Sequence, residues 1–276
     1  MAAYTKFSVI ATEEQSEILA AYLEEFPFES FDYQEGCFGA YAPQGDIEPF
    51  RTAIEEVVRD AGFEEFSFED IESQNWNAVW ESDFEEVEVQ GRVLIRAPFH
   101  AEIADYEGLQ VVIQPKMSFG TGHHATTQMM VEMLLESELE GKRLLDMGSG
   151  TGVLAIVAAK LGAESVLAVE IDDMAEESVR ENITLNDVAD RVVSVCGDAR
   201  AIDGKEFDTV LANINRNILL NDMAAYVATL CDGGRLIMSG FYEEDITPLV
   251  ECATRLGLTL VRQKSNGEWR CIELKA

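Results

Sequence analysis

The segment Asp146-Met147-Gly148-Ser149-Gly150-Thr151-Gly152 follows an apolar strand-like run containing Leu144 and Leu145, and an apolar helix-like run leaves it. A second strand-like run, SVLAVEI, carries Glu170 near its end. Glycines at such a turn let the backbone approach a ligand closely, and the amides that open the helix favour an anionic group. An acid at the tip of the second strand is placed to accept hydrogen bonds from both hydroxyls of a ribose. The chemistry implied is binding of a nucleoside cofactor on a doubly wound α/β sheet. The dinucleotide pattern GxGxxG would need glycines at 148, 150 and 153, but residue 153 is Val.

The pattern present, GxGxG with Asp146 two positions before the first glycine, resembles motif I of the S-adenosylmethionine-dependent methyltransferases of the Rossmann-like class. Two further positions fit that resemblance. RVVSVCGDA reads as a third strand ending near Asp198, where the class often binds the adenine amino group; a loop cap is the alternative for this residue. EFDTVLANINRNILL reads as a fourth strand that breaks at Asn213 into a helix. Amino methyltransferases carry a polar residue there, and carbonyls at that strand end accept hydrogen bonds from the attacking amine. The Pro-Pro-Tyr that often follows is replaced by Ile214-Asn215-Arg216, which argues against planar glutamine or adenine substrates that stack on an aromatic ring.

Just before this region lies FGTGHHATT, Phe119 to Thr127. By residue type it reads as a metal site, a phosphate cradle or a lid. The metal reading is weak, because adjacent histidines point apart and no cysteine or third histidine is clustered with them.

The elements that must position these residues divide the chain. In 1–72, YTKFSVIA reads as a strand and TEEQSEILAAYLEEF as a helix capped by Thr12. FESFDYQE and CFGAYAP alternate as strands around a Glu35-Gly36 turn, Asp46 is expected to cap the helix IEPFRTAIEEVVRDAG, and FEEFSFEDI closes as a strand. The order βαββαβ is that of a ferredoxin-like α+β module, which holds no histidine and suits recognition better than catalysis. Residues 73–90 read as a linker, with Trp76 and Trp80 spaced by one helical turn as an interdomain staple. Residues 91–276 begin with short strand-like pieces through VVIQPK. They continue as a Rossmann-like seven-stranded sheet completed by GGRLIMSGF, LTLVRQKS and EWRCIELKA, the last two an antiparallel hairpin.

Composition narrows the function. Twenty Lys and Arg against fifty-two Asp and Glu give a net charge of −32. Such a field repels phosphates, so direct nucleic-acid binding is not expected, and a basic protein is the natural complement. Residues 1–72 alone hold three basic and eighteen acidic residues. No apolar run reaches eighteen residues and the N-terminus lacks the form of a signal peptide, so neither a membrane span nor export is expected. The five cysteines, Cys37, Cys196, Cys231, Cys252 and Cys271, form no CxxC pair and read as reduced thiols of a cytoplasmic protein.

Taken together, these pieces resemble one family over nearly the whole chain: the bacterial methyltransferases of large-subunit ribosomal protein eleven (L-eleven). Members join a small ferredoxin-like domain to a methyltransferase domain through a Trp-containing linker, matched by NWNAVW. They carry an FGTGxHxTT loop before motif I, matched by FGTGHHATT, and an AN(I/L) at the fourth strand, matched by ANIN. The family usually shows Thr and Pro where His123 and Ala125 stand, a change that bears on loop rigidity. Glu170 replaces the commoner Asp.

The resemblance implies that S-adenosyl-L-methionine is the cofactor, that the loop closes over its methionine end, and that Thr127, Gly148, Glu170 and Asn213 bind it. Gly150, in the same turn, joins that group. Asn213 is the expected catalytic residue, orienting an amine, and no metal is expected. The substrate implied is L-eleven, methylated on lysine side chains and its N-terminal α-amine, presented differently as the small domain swings on its linker. A monomer is expected. Two alternatives share parts of this pattern: a methyltransferase acting on another basic protein or a small amine, and an acidic non-enzymatic scaffold that holds a basic protein.

Overall fold

A computed structural model describes residues 4–34, 36–71, 84–116 and 119–276. Its contacts divide the chain into two units, 1–84 and 85–276. Most of the expected linker, with Trp76 and Trp80, lies outside the described residues.

The first unit is a four-stranded antiparallel sheet, β1 (Tyr4–Ile10), β2 (Ser30–Gln34), β3 (Cys37–Pro43) and β4 (Phe66–Ile71), in the order β2-β3-β1-β4. Alternation in β1 sends Phe7 and Val9 to a buried face, where they meet Leu19 and Leu23 of α1 (Glu13–Leu23) and Ile54 and Val58 of a later helix. Thr12 caps α1 in a complete capping box with Gln15, the outcome expected from TEEQ. Asp46 does not cap the second helix. It lies inside a one-turn helix, α2 (Gln44–Ile47), and Glu48–Phe50 forms a 3-10 turn before α3 (Arg51–Asp60). Pro49 is the physical reason: without an N–H it joins no continuous ladder, so the long helix begins only after it.

The second unit opens with a small sheet, β5 (Val87–Val89), β6 (Val93–Arg96) and β7 (Leu109–Val112). Residues 85–90, read from sequence as the end of the linker, therefore belong to this unit. The main sheet has seven strands: β8 (Arg143–Met147), β9 (Ser165–Glu170), β10 (Val192–Cys196), β11 (Phe207–Asn213), β12 (Leu230–Tyr242), β13 (Thr259–Asn266) and β14 (Trp269–Lys275). Their order is β10-β9-β8-β11-β12-β14-β13, parallel except where β14 meets β12 and β13. Successive residues of β8 go to opposite faces, Leu144 into one core and Leu145 into the other. Burial on both faces is why these strands read as continuous apolar runs rather than alternating ones.

Helices α4 (Ala125–Leu135), α5 (Val153–Lys160) and α6 (Asp173–Leu185) pack on one face; α7 (Arg216–Ala228) and α8 (Ile246–Arg255) pack on the other. From β8 the chain builds outward to β9 and β10, then returns to place β11 and β12 on its other side. The carboxyl ends of β8 and β11 flank the point where this winding reverses, the place where an open α/β sheet leaves a ligand crevice. Among the described residues no helix is long and apolar enough to cross a membrane.

Candidate active site

A cavity of about 760 Å³ opens at that crevice. Gly148, Gly150, Glu170 and Asn213 line it together with Phe119, His124, Ile214 and Trp269, residues brought from five separate stretches of chain. Four of the five sequence-derived site residues thus meet on one cavity. Thr127, the fifth, lies in the first turn of α4, fully buried, and is not among the residues that line the cavity.

The glycine turn is built for close approach. Gly148 has φ +67° and Gly150 φ +57°, left-handed values that side chains rarely adopt. A Cβ on Gly148 would overlap Ile214, and one on Gly150 would overlap the Phe119 carbonyl oxygen. That carbonyl accepts from the Thr151 amide at 2.9 Å, and the Thr151 hydroxyl donates to the Gly120 carbonyl at 2.6 Å. The FGTG loop is therefore laced to the turn through backbone groups, and only glycine leaves room for the lacing. Farther along, His124 caps α4: its side chain accepts from the Thr126 amide at Nδ1. The His124 ring packs edge-on against Trp269 at 4.7 Å, and Trp269 lies 4.5 Å from the Tyr242 ring. Among the described residues no group of histidines, cysteines and carboxylates is arranged to hold a metal ion.

Glu170 is fixed by three amides. Its Oε2 accepts from Gly150 at 2.8 Å, while Oε1 accepts from Ile171 at 2.9 Å and Asp172 at 3.2 Å. Oε1 thus accepts two amides, while Oε2 accepts one and keeps a second lone pair, so the acid is oriented by the turn and still able to receive a ribose hydroxyl. Beneath it Asp146 is buried; burial, opposed by the Ala155 amide and aided by the nearby Glu170 charge, pushes its carboxyl up to about 7. Asp198 lines the cavity but acts as the cap of the 3-10 turn Ala199–Ile202. Its side chain accepts from the backbone and guanidinium of Arg200, which hold its carboxyl down to about 2.

Among the described residues six buried side-chain oxygens find no partner, and two of them, Oγ1 of Thr127 and Oδ1 of Asn213, belong to residues that the sequence pointed to as cofactor-binding. A buried polar atom without a hydrogen bond costs roughly 1–3 kcal/mol, so such atoms mark places where a ligand completes the structure. Asn213 ends β11 and lines the cavity. Cradle, ribose acid and orphan acceptors all fit an adenosyl cofactor with an amine beside it.

Sequence reading missed Lys116, Ile214, Tyr226 and Trp269 as cavity residues. The signal for Ile214 was present in ANIN; Trp269 reaches the cavity only because β14 pairs with β12 far away in sequence.

Fold and cavity define an S-adenosylmethionine-dependent methyltransferase of the Rossmann-like class. The profile of one family, ribosomal protein L11 methyltransferase, matches residues 4–276. A ribosomal protein L11 methyltransferase of Porphyromonas gingivalis is 45% identical over 267 residues, covering 95% of this chain and 91% of the relative. One from Bacteroides fragilis is 42% identical, covering 95% and 94%. Among solved structures, the ribosomal protein L11 methylase of Lactobacillus delbrueckii subsp. bulgaricus shares the fold with a TM-score of 0.64 at 23% identity, covering 69% of this chain and 97% of its own. The chain belongs to the ribosomal protein L11 methyltransferase family.

Proposed function

We propose that the protein transfers methyl groups from S-adenosylmethionine to amines of ribosomal protein L11, on lysine side chains and the N-terminal α-amine. The observation that carries this reading is the convergence of the glycine turn, Glu170 and the unpartnered Asn213 oxygen on one cavity. When bound, the cofactor supplies an activated methyl on a sulfonium, and the chain's own residues bind, orient and desolvate.

Gly148 and Gly150 cradle the cofactor, Glu170 receives its ribose, and the buried Thr127 hydroxyl is available to the methionine end. Asn213 Oδ1 accepts an N–H of the incoming amine and so aims the nitrogen lone pair at the methyl. A free lysine has a pKa of roughly 10.4 and is nearly all ammonium at neutral pH. Burial in an apolar cavity beside a sulfonium lowers that value and supplies the neutral nucleophile. The wall formed by Phe119, His124, Ile214 and Trp269 provides that desolvation. With His124 Nδ1 committed to capping α4, the ring serves as wall rather than as base.

In this reading the acidic first unit recognises the basic substrate. The protein works as a cytoplasmic monomer, and its charge of −32 keeps it off nucleic acid. Raising salt from 50 to 500 mM is expected to weaken L11 binding at least tenfold while changing S-adenosylhomocysteine affinity less than twofold, measured by titration calorimetry. Equal effects on both ligands would remove the electrostatic role of the first unit.

A further inference from the structure

Among the described residues the cavity lining is rich in carboxylates, with Glu170, Asp172, Asp198 and Asp222, yet it holds one lysine, Lys116, and no arginine. This balance matters because the cofactor is not uniformly cationic: its sulfonium and α-ammonium are positive, but its α-carboxylate is negative. Four acids would repel that carboxylate unless a cation meets it.

Lys116 is delivered to the cavity by a fixed stretch of backbone. The Val112 amide donates to Asn186 Oδ1 at 2.9 Å, and the Gln114 amide donates to Asn182 Oδ1 at 2.8 Å. Asn182 in turn donates to the Thr151 carbonyl at 2.9 Å, so the strip before Lys116 and the glycine turn are held by one side chain of α6. Lys116 itself pairs with Glu181 on the same helix, and both side chains remain 43% exposed. Such a pair adds little stability and exchanges readily. An ammonium has three N–H donors, so Lys116 can keep Glu181 and still serve a second carboxylate.

Position along the cofactor also follows. Glu170 marks the ribose, and the Gly197–Ala199 segment lies on the far, base side of it. The methionine end must then run toward the glycine turn and the 119–127 loop, which Lys116 precedes by three residues. We propose that Lys116 anchors the α-carboxylate of S-adenosylmethionine, a role that rests on the cofactor reading above. Glu181 then holds the lysine in place until the cofactor arrives. Nucleoside recognition is thereby separated from recognition of the α-carboxylate, the latter assigned to Lys116.

The test compares two ligands that share the adenosine thioether. S-adenosylhomocysteine carries the amino acid, and 5′-methylthioadenosine lacks it. Calorimetric titration of the whole protein is expected to show that Lys116→Met weakens S-adenosylhomocysteine about tenfold and changes 5′-methylthioadenosine less than twofold. Lys116→Arg is expected to retain affinity for both, and Glu181→Gln to leave S-adenosylhomocysteine binding intact or tighter. No change with Lys116→Met, or an equal loss for both ligands, overturns the assignment, the latter by revealing a purely structural role. Failure of the unsubstituted protein to bind S-adenosylhomocysteine overturns both this and the cofactor reading. Intact binding without methylation of L11 removes only the substrate reading.

Discussion

Replacing Asn213 with alanine is expected to lower kcat about a hundredfold or more while the folded protein loses no stability. Oδ1 of Asn213 is buried and unpartnered, so the side chain gives up no hydrogen bond there when it is removed. What disappears under the proposed mechanism is the acceptor that aims the amine, and loss of alignment of this kind costs about 10²-fold in rate, near 2.7 kcal/mol of barrier. Because Asn213 also lines the cofactor cavity, a smaller loss of cofactor affinity accompanies the change, a fewfold at most. Turnover measured at saturating cofactor and L11, beside a thermal melt, checks the pair of outcomes. Full turnover with unchanged cofactor affinity would remove Asn213 from the mechanism. Asn213 ends β11 on the cavity lining, so under the proposed mechanism the expected loss is in kcat rather than in folding.

The second large effect belongs to Gly150→Ala, which is expected to cost at least about a hundredfold in cofactor affinity. A left-handed φ on a residue with a Cβ costs roughly 1–2 kcal/mol by itself. Here the Cβ also overlaps a backbone oxygen, that of Phe119, which cannot turn aside as a flexible side chain would. Relief requires the FGTG loop to lift off the turn, breaking the Thr151–Phe119 hydrogen bond. The Gly150 amide also orients Glu170, so moving the turn releases the ribose acid as well. Gly141→Ala is the matched control. Its φ is +68°, but a Cβ there meets nothing within 4 Å. It is expected to pay the backbone strain alone and to bind S-adenosylhomocysteine as tightly as the unsubstituted protein. Equal affinity losses in the two variants would show that strain, not the laced loop, governs the site.

These two residues also show how far the site could be read before the fold was known. The glycine turn and Glu170 were legible because a strand, a glycine-rich turn, a helix and a second strand follow one another within thirty residues. Local periodicity fixes each element, and the parallel crossover brings the two strand ends together. Asn213 needed the family resemblance, since an asparagine ending an apolar strand has many uses; its buried, unpaired oxygen gives the residue a physical reason. Lys116 and Trp269 were not legible. They reach the cavity through the Asn182 and Asn186 staples and through the pairing of Tyr242 with Trp269, contacts between distant parts of the chain that leave no local pattern. Asp198 had two readings, and its hydrogen bonds with Arg200 supply the capping one directly. In the first unit, the strands themselves were legible from alternation and turn signals, whereas Asp46 was misplaced because Pro49 divides what the apolar spacing presented as one helix.

The central claim is methyl transfer to L11, and mass spectrometry of recombinant L11 after incubation with the protein and S-adenosylmethionine tests it most directly. The expected result is a mass gain in steps of about fourteen daltons per methyl. Fragment spectra should place those steps on lysine side chains and the N-terminal amine. An unchanged L11 mass under conditions where the protein demonstrably binds S-adenosylhomocysteine would contradict the claim and direct the search to another substrate.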